Sequence, residues 1–67
     1  MNRDLIAGNW QEIKGDVRGR WARITEDDLE RTDGNFEYLV GLVQTRYGML
    51  REVAERQVRD FGRHLEH

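Results

Sequence analysis

The sequence predicts an all-α domain, a small four-helix bundle of two packed α-hairpins, and three observations carry that prediction. Apolar residues recur with helical period along two long stretches, the chain matches itself at a fixed offset, and no segment makes a credible strand. A chain of 67 residues with no proline allows one domain, and nothing in it must break a helix.

The elements follow in order. Ile6, Trp10, Ile13, Val17, Trp21 and Ile24 fall within an arc of about 80° at 100° per residue, which predicts a first helix over residues 4–22. Thr25 then caps a short helix over 26–32, where Glu26, Asp27 and Asp28 suit the positive end and only Leu29 offers a core contact. Phe36, Leu39, Val40, Val43, Tyr47 and Leu50 form a second stripe about 100° wide and predict a third helix over 35–47. Tyr38 and Leu42 widen that face, so this helix should be the most enclosed. Val40, Leu42 and Val43 also suit a short strand, but the helical stripe and the repeat outweigh them. A fourth helix over 50–63 has a looser face of Leu50, Val53, Ala54, Gln57, Val58 and Phe61.

The repeat carries position 8 onto position 34 and holds that offset throughout. Gly8-Asn9-Trp10 aligns with Gly34-Asn35-Phe36, Ile13 with Leu39, Gly15 with Gly41 and Val17 with Val43. Arg20 then meets Arg46, Trp21 meets Tyr47, Ala22 meets Gly48 and Ile24 meets Leu50. Each half has a long helix, a tight turn at Ala22 or Gly48, and a second helix. Neither half can bury its apolar face alone, so the halves must pack on each other. Each large side chain buried there contributes roughly 1.5–3 kcal/mol.

Composition narrows the function classes. The chain is 37% hydrophobic and 36% charged, too small and polar for a deep substrate cleft yet too apolar for outright disorder. With no cysteine, disulfide frameworks, thiolate metal sites and cysteine nucleophiles are excluded. The longest apolar run, Tyr38 to Val43, falls far short of the roughly 20 residues that span a bilayer. No basic-then-apolar leader opens the chain, so a soluble cytoplasmic protein without membrane contact is expected. Leu65-Glu66-His67 reads as the remnant of an expression tag, which leaves a single domain over 1–64. Within it, residues 1–23 carry a net charge of +2, residues 24–37 of −5 and residues 38–64 of +2, an acidic waist between two mildly basic arms.

Taken together, certain residues resemble the CsbD-like family of small bacterial general-stress proteins. They are Gly8-Asn9-Trp10, Lys14-Gly15, Trp21, Thr25 with Asp27-Asp28-Leu29, Gly34, Leu39-Val40-Gly41, Gln44, Arg46-Tyr47-Gly48, Ala54-Glu55 and Val58, spread over about residues 2–61. The resemblance implies a cytoplasmic helical protein induced under stress, with two hairpins crossing in a SAM-like arrangement. It supplies no catalytic residue. Two departures stand out: Met49-Leu50 follow Gly48 where the family usually places a polar cap, and Arg replaces Lys almost throughout, with Lys14 the only lysine.

Two sets of residues are candidate contact sites. Lys14, Arg18, Arg20 and Arg23 flank the first apolar stripe and suit weak, sequence-independent contact with phosphate, polyphosphate or nucleic acid; the alternative is a solvated helix face whose stems cover the aromatic core. Gly15, Gly19 and Gly41 lie opposite the stripes and suit close approach of another helix, or are simply tolerated at a cost of about 1 kcal/mol each. Homo-oligomerisation through these glycines is the related expectation, so the chain is a monomer or a weak homo-oligomer. Glu26, Asp27, Asp28 and Glu30 lack the ordered loop that calcium needs and are read as helix-end acids. His64 has no second ligand nearby in sequence, and Trp10 and Trp21 are read as core anchors. With no serine and one terminal histidine before the tag, no nucleophile and base can be assembled. The expectation is a non-enzymatic module without cofactor that contacts a macromolecular partner of unknown identity.

Overall fold

The computed structural model describes residues 6–64, so the expected helix start at residue 4 and the expected tag remnant at 65–67 lie outside the described residues. Four helices follow one another: α1 (Trp10–Arg20), α2 (Glu26–Thr32), α3 (Phe36–Tyr47) and α4 (Arg51–His64). No strand occurs among the described residues, and Tyr38 to Val43 is helical throughout. The all-α class is the observed one.

The first long helix is interrupted. Residues 6–8 are helical, but Asn9 turns out of the helix at φ −119°, ψ 18°, and its carbonyl accepts from the N–H groups of Glu12 and Ile13 to start α1. Trp10 opens α1 as Phe36 opens α3, so the duplicated Gly-Asn-aromatic triplet begins the long helix of each half. In the second copy Asn35 accepts from Tyr38 N–H at 2.9 Å, an ordinary asparagine N-cap. α1 ends at Arg20, and a turn closed by Ile24 N–H on the Trp21 carbonyl leads to α2.

Two turns use left-handed backbone. Gly48 closes α3 at φ 60°, and Met49 N–H reaches back to the Gln44 carbonyl. Between α2 and α3, Asp33 at φ 45° and Gly34 at φ 80° reverse the chain. Gly34 also sits under the N-terminal segment, where an added Cβ would lie 3.1 Å from Ala7 Cα. That position requires glycine both for its backbone angle and for its space.

The core joins both halves. Ile6, Trp10, Ile13, Val17, Trp21, Ile24 and Leu29 from the first meet Phe36, Leu39, Val40, Val43, Ala54, Val58 and Phe61 from the second. The Trp21 and Phe61 rings meet at 5.3 Å and 59°, a tilted aromatic pair across the halves. α4 packs extensively along α3, and α2 packs on α3 to a smaller extent. Two expected core positions turn outward. Leu50 is 69% exposed, because the Gly48 reversal directs Met49 onto the core instead and leaves Leu50 at the N-cap of α4, its carbonyl accepting from Val53 and Ala54. Tyr38 is 41% exposed, so the outer side of α3 is open rather than enclosed.

Candidate functional site

One set of polar contacts between the halves centres on Asp28. Thr25 is extended and caps α2: its hydroxyl accepts from Asp28 N–H at 3.1 Å, and the Asp28 carboxylate accepts from Thr25 N–H at 3.1 Å. This reciprocal capping box fixes the carboxylate at the third position of α2 and directs it inward. Arg46, in the last turn of α3, then grips both its oxygens. Nη2 donates to Oδ1 at 2.7 Å and to Oδ2 at 2.9 Å, and Nε donates to Oδ2 at 3.1 Å. Below it the Thr32 hydroxyl donates to the Asp28 carbonyl at 2.7 Å.

These donors set the charge. The Arg46 hydrogen bonds, followed by the Thr25 N–H, hold the Asp28 carboxyl at about 2 against an ordinary 3.8, while burial opposes them. Arg46 is pushed up in turn by its bonds to Asp28. Asp28 is buried, and the Arg46 side chain is 41% exposed.

A second set of contacts flanks the pair. Arg23 N–H donates to the Tyr47 hydroxyl at 3.1 Å, its Nη1 donates to the Arg46 carbonyl at 3.3 Å, and its guanidinium lies 5.4 Å from the centre of the Tyr47 ring. Trp21 Nε1 donates to Gln57 Oε1 at 3.2 Å. Trp21 and Tyr47 are repeat counterparts, and each bonds into the opposite half. Their arginine neighbours differ. Arg46 has Asp28, whereas Arg20 lies 5.6 Å over the Trp21 ring, and the repeat counterpart of Asp28 is the buried Ala54.

The four basic candidates are therefore distributed over different surroundings. Lys14 and Arg18 reach across from α1 to Glu30 and Glu26 of α2 at 3.6 and 3.7 Å, bridging an open hollow of about 550 Å³ whose lining includes Gly15 and Leu29. Arg20 borders a separate hollow with Asp16, Asp60, Phe61 and His64, while Arg23 lies on Tyr47. The acidic waist is thus matched by both arms: Lys14 and Arg18 from one, Arg46 and Arg51 (on Glu37) from the other. Further out, Glu55 stands between Arg51 and Arg59 on α4.

The three glycine candidates are also separated. A methyl group built on Gly15, Gly19 or Gly41 meets no atom within 4 Å. Gly15 faces the hollow between α1 and α2, whereas Gly41 borders a shallow one on α3 with Tyr38, Leu42, Thr45 and Arg46. The glycine that the fold itself presses against backbone is Gly34. Among the described residues no group of three or more His, Asp or Glu is placed to hold a metal ion. No helix among them is long and apolar enough to cross a membrane.

The Asp28–Arg46 pair was not legible in the sequence. Its signals were present separately: a Thr-x-x-Asp capping box, and an arginine just before the aromatic–glycine turn. Nothing in their spacing of 18 residues joins them.

Comparison with known proteins places this arrangement. A UPF0337 protein of Pseudomonas aeruginosa is 49% identical over 65 residues, covering 97% of this chain and all of the relative. A UPF0337 protein of Bordetella pertussis is 48% identical over 61 residues, 91% of this chain and 92% of the relative. The UPF0337 protein YjbJ of Escherichia coli is 41% identical over 61 residues, 91% and 88% of the two chains. No solved structure matches. The CsbD-like family model matches residues 4–56, which takes in the duplicated triplets, the capping box, Arg46 and the Gly48 turn, and the chain belongs to the CsbD-like family.

Proposed function

We propose that this chain is a non-enzymatic stress-response protein of the cytoplasm, an interaction or protective module that meets other macromolecules through the polar faces of its helices. The observation that carries this reading is the state of Asp28. Its carboxylate is bound by Arg46 and by the Thr25 cap, which hold its pKa down to about 2, so near neutrality it is ionised and committed to the fold. A group that transfers protons near neutrality needs the opposite shift. The stress role rests on membership of the CsbD-like family. Crosslinking in stressed and unstressed cells, followed by mass spectrometry, tests the reading. Discrete partners enriched under stress are expected, and a chain that crosslinks to none overturns it.

A second reading, weak binding of nucleic acid or polyphosphate, is favoured by Arg20 and Arg23. Their guanidinium groups rest on aromatic rings, whereas Lys14 and Arg18 are engaged by glutamates. Fluorescence anisotropy with labelled DNA and RNA at low salt tests it. Binding should fall steeply as salt rises, and Arg20→Ala with Arg23→Ala should weaken it more than Lys14→Ala with Arg18→Ala. A flat titration removes this reading.

A further inference from the structure

We propose that this chain has a second, two-copy state in which the two halves are exchanged between molecules through the link at Asp33–Gly34. The inference goes beyond the function proposed above and rests on three observations.

First, a set of specific side-chain contacts joins the two halves, beside the packing of α4 along α3 within the second half. Asp28 with Arg46, Arg23 with Tyr47, Trp21 with Gln57 and Trp21 with Phe61 all join residues before the link to residues after it. Inside the first half, by contrast, α1 and α2 are bridged by exposed ion pairs across an open hollow. Each half therefore presents a face that is complementary to the other half, whichever molecule supplies it.

Second, the link is short and holds its reversal by unusual backbone. Asp33 is a non-glycine residue at φ 45°, and Gly34 follows at φ 80°. Left-handed backbone at a non-glycine residue is disfavoured and persists only where surrounding contacts enforce it. Here the reversal is held by Asp33 N–H on the Leu29 carbonyl and Asn35 N–H on the Thr32 carbonyl, and Gly34 has no room for a side chain beside Ala7.

Third, the alternative to the reversal is regular. If residues 33–35 became helical, α2 and α3 would join into one helix over 26–47, which at 1.5 Å per residue spans about 33 Å. Asp28 and Arg46, 18 residues apart, would then stand about 27 Å apart along one helix, so they could not pair within one chain. Two such chains would restore every contact between halves reciprocally. The cost is association of two molecules, so the closed monomer dominates at low concentration and exchange grows with it.

Two sets of variants test this. Gly34→Ala disfavours the reversal and favours the joined helix; sedimentation from micromolar to millimolar concentration should show its mass rising from 8.0 kDa to twice that value, at a concentration at least about tenfold below wild type. The second set is Asp28→Arg and Arg46→Asp, prepared as separate chains. Each alone sets like charges together in a closed monomer. Mixed in equal amounts, an exchanged heterodimer pairs opposite charges at both locks, so helical circular dichroism and doubled mass should appear in the mixture above either chain alone. Such recovery supports exchange. A mixture no better folded than its components, with Gly34→Ala remaining at 8.0 kDa over the whole range, overturns it.

Discussion

Arg46 closes on Asp28 from the far end of α3, donating from Nη2 and Nε to both carboxylate oxygens at 2.7–3.1 Å, while Thr25 N–H takes the same carboxylate from below. The Asp28 side chain thus caps the start of α2 and joins the two halves of the chain. The consequences are measurable.

Arg46→Met leaves Asp28 buried with its cap but without its counter-ion. The variant should be less stable than the wild type, by less than the loss of a fully buried ion pair because Arg46 is 41% exposed. Urea denaturation should show a lower midpoint with an unchanged slope.

Acid should act through the same carboxyl. Its folded value of about 2 lies below the ordinary 3.8, so on acidification the unfolded chain takes up this proton first. The stabilisation is complete above about pH 5 and is lost as the pH falls toward about 2, amounting to about 1–2 kcal/mol after allowance for the exposed partner. Denaturation midpoints measured between those limits should fall for the wild type, and Asp28→Asn should remove that part of the fall.

Glycine substitutions should divide by sign. Gly15→Ala and Gly19→Ala add a methyl group to a helix in open space and should each stabilise by about 0.5–1 kcal/mol. Gly34→Ala at micromolar concentration should destabilise the monomer, since its backbone is left-handed and its Cβ would crowd Ala7. Thermal melts of the three variants, side by side, check the contrast.

Trp21 offers a spectroscopic reading of the junction. Phe61→Ala removes the ring at 5.3 Å and should cost about 3–5 kcal/mol. Gln57→Ala should cost about 1–3 kcal/mol by leaving the indole N–H without its acceptor. In each case denaturant unfolding followed by tryptophan fluorescence reports the shift.

The helices were legible because their information is local. A stripe with helical period, the Thr25 cap and the Gly48 turn each require only neighbours in sequence; the repeat paired the Gly-Asn-aromatic triplets, but the first helix was expected from residue 4 and α1 starts at Trp10. Breaks and outward turns were less legible. Asn9 has the composition of a cap but lies inside an unbroken apolar stripe, and Leu50 belongs to that pattern although the Gly48 reversal faces it outward. The charge map gave the acidic waist and both arms, but not which cation meets which acid. That depends on how the helices pack, and the Arg46–Asp28 separation of 18 residues has no local signature. The basic candidates came from one helical projection, whereas the fold gives Lys14 and Arg18 to α2 and lays Arg20 and Arg23 on rings.

The duplicated halves differ at one decisive position: the counterpart of Asp28 is Ala54, and where Arg46 meets a carboxylate Arg20 meets a ring. Two identical halves brought together would either place alanine opposite the Arg46 position or leave an aspartate facing an arginine shorn of the surrounding tyrosine and glycine turn. The two segments of the repeat thus supply different partners to their junction, a carboxylate from one side and a guanidinium from the other.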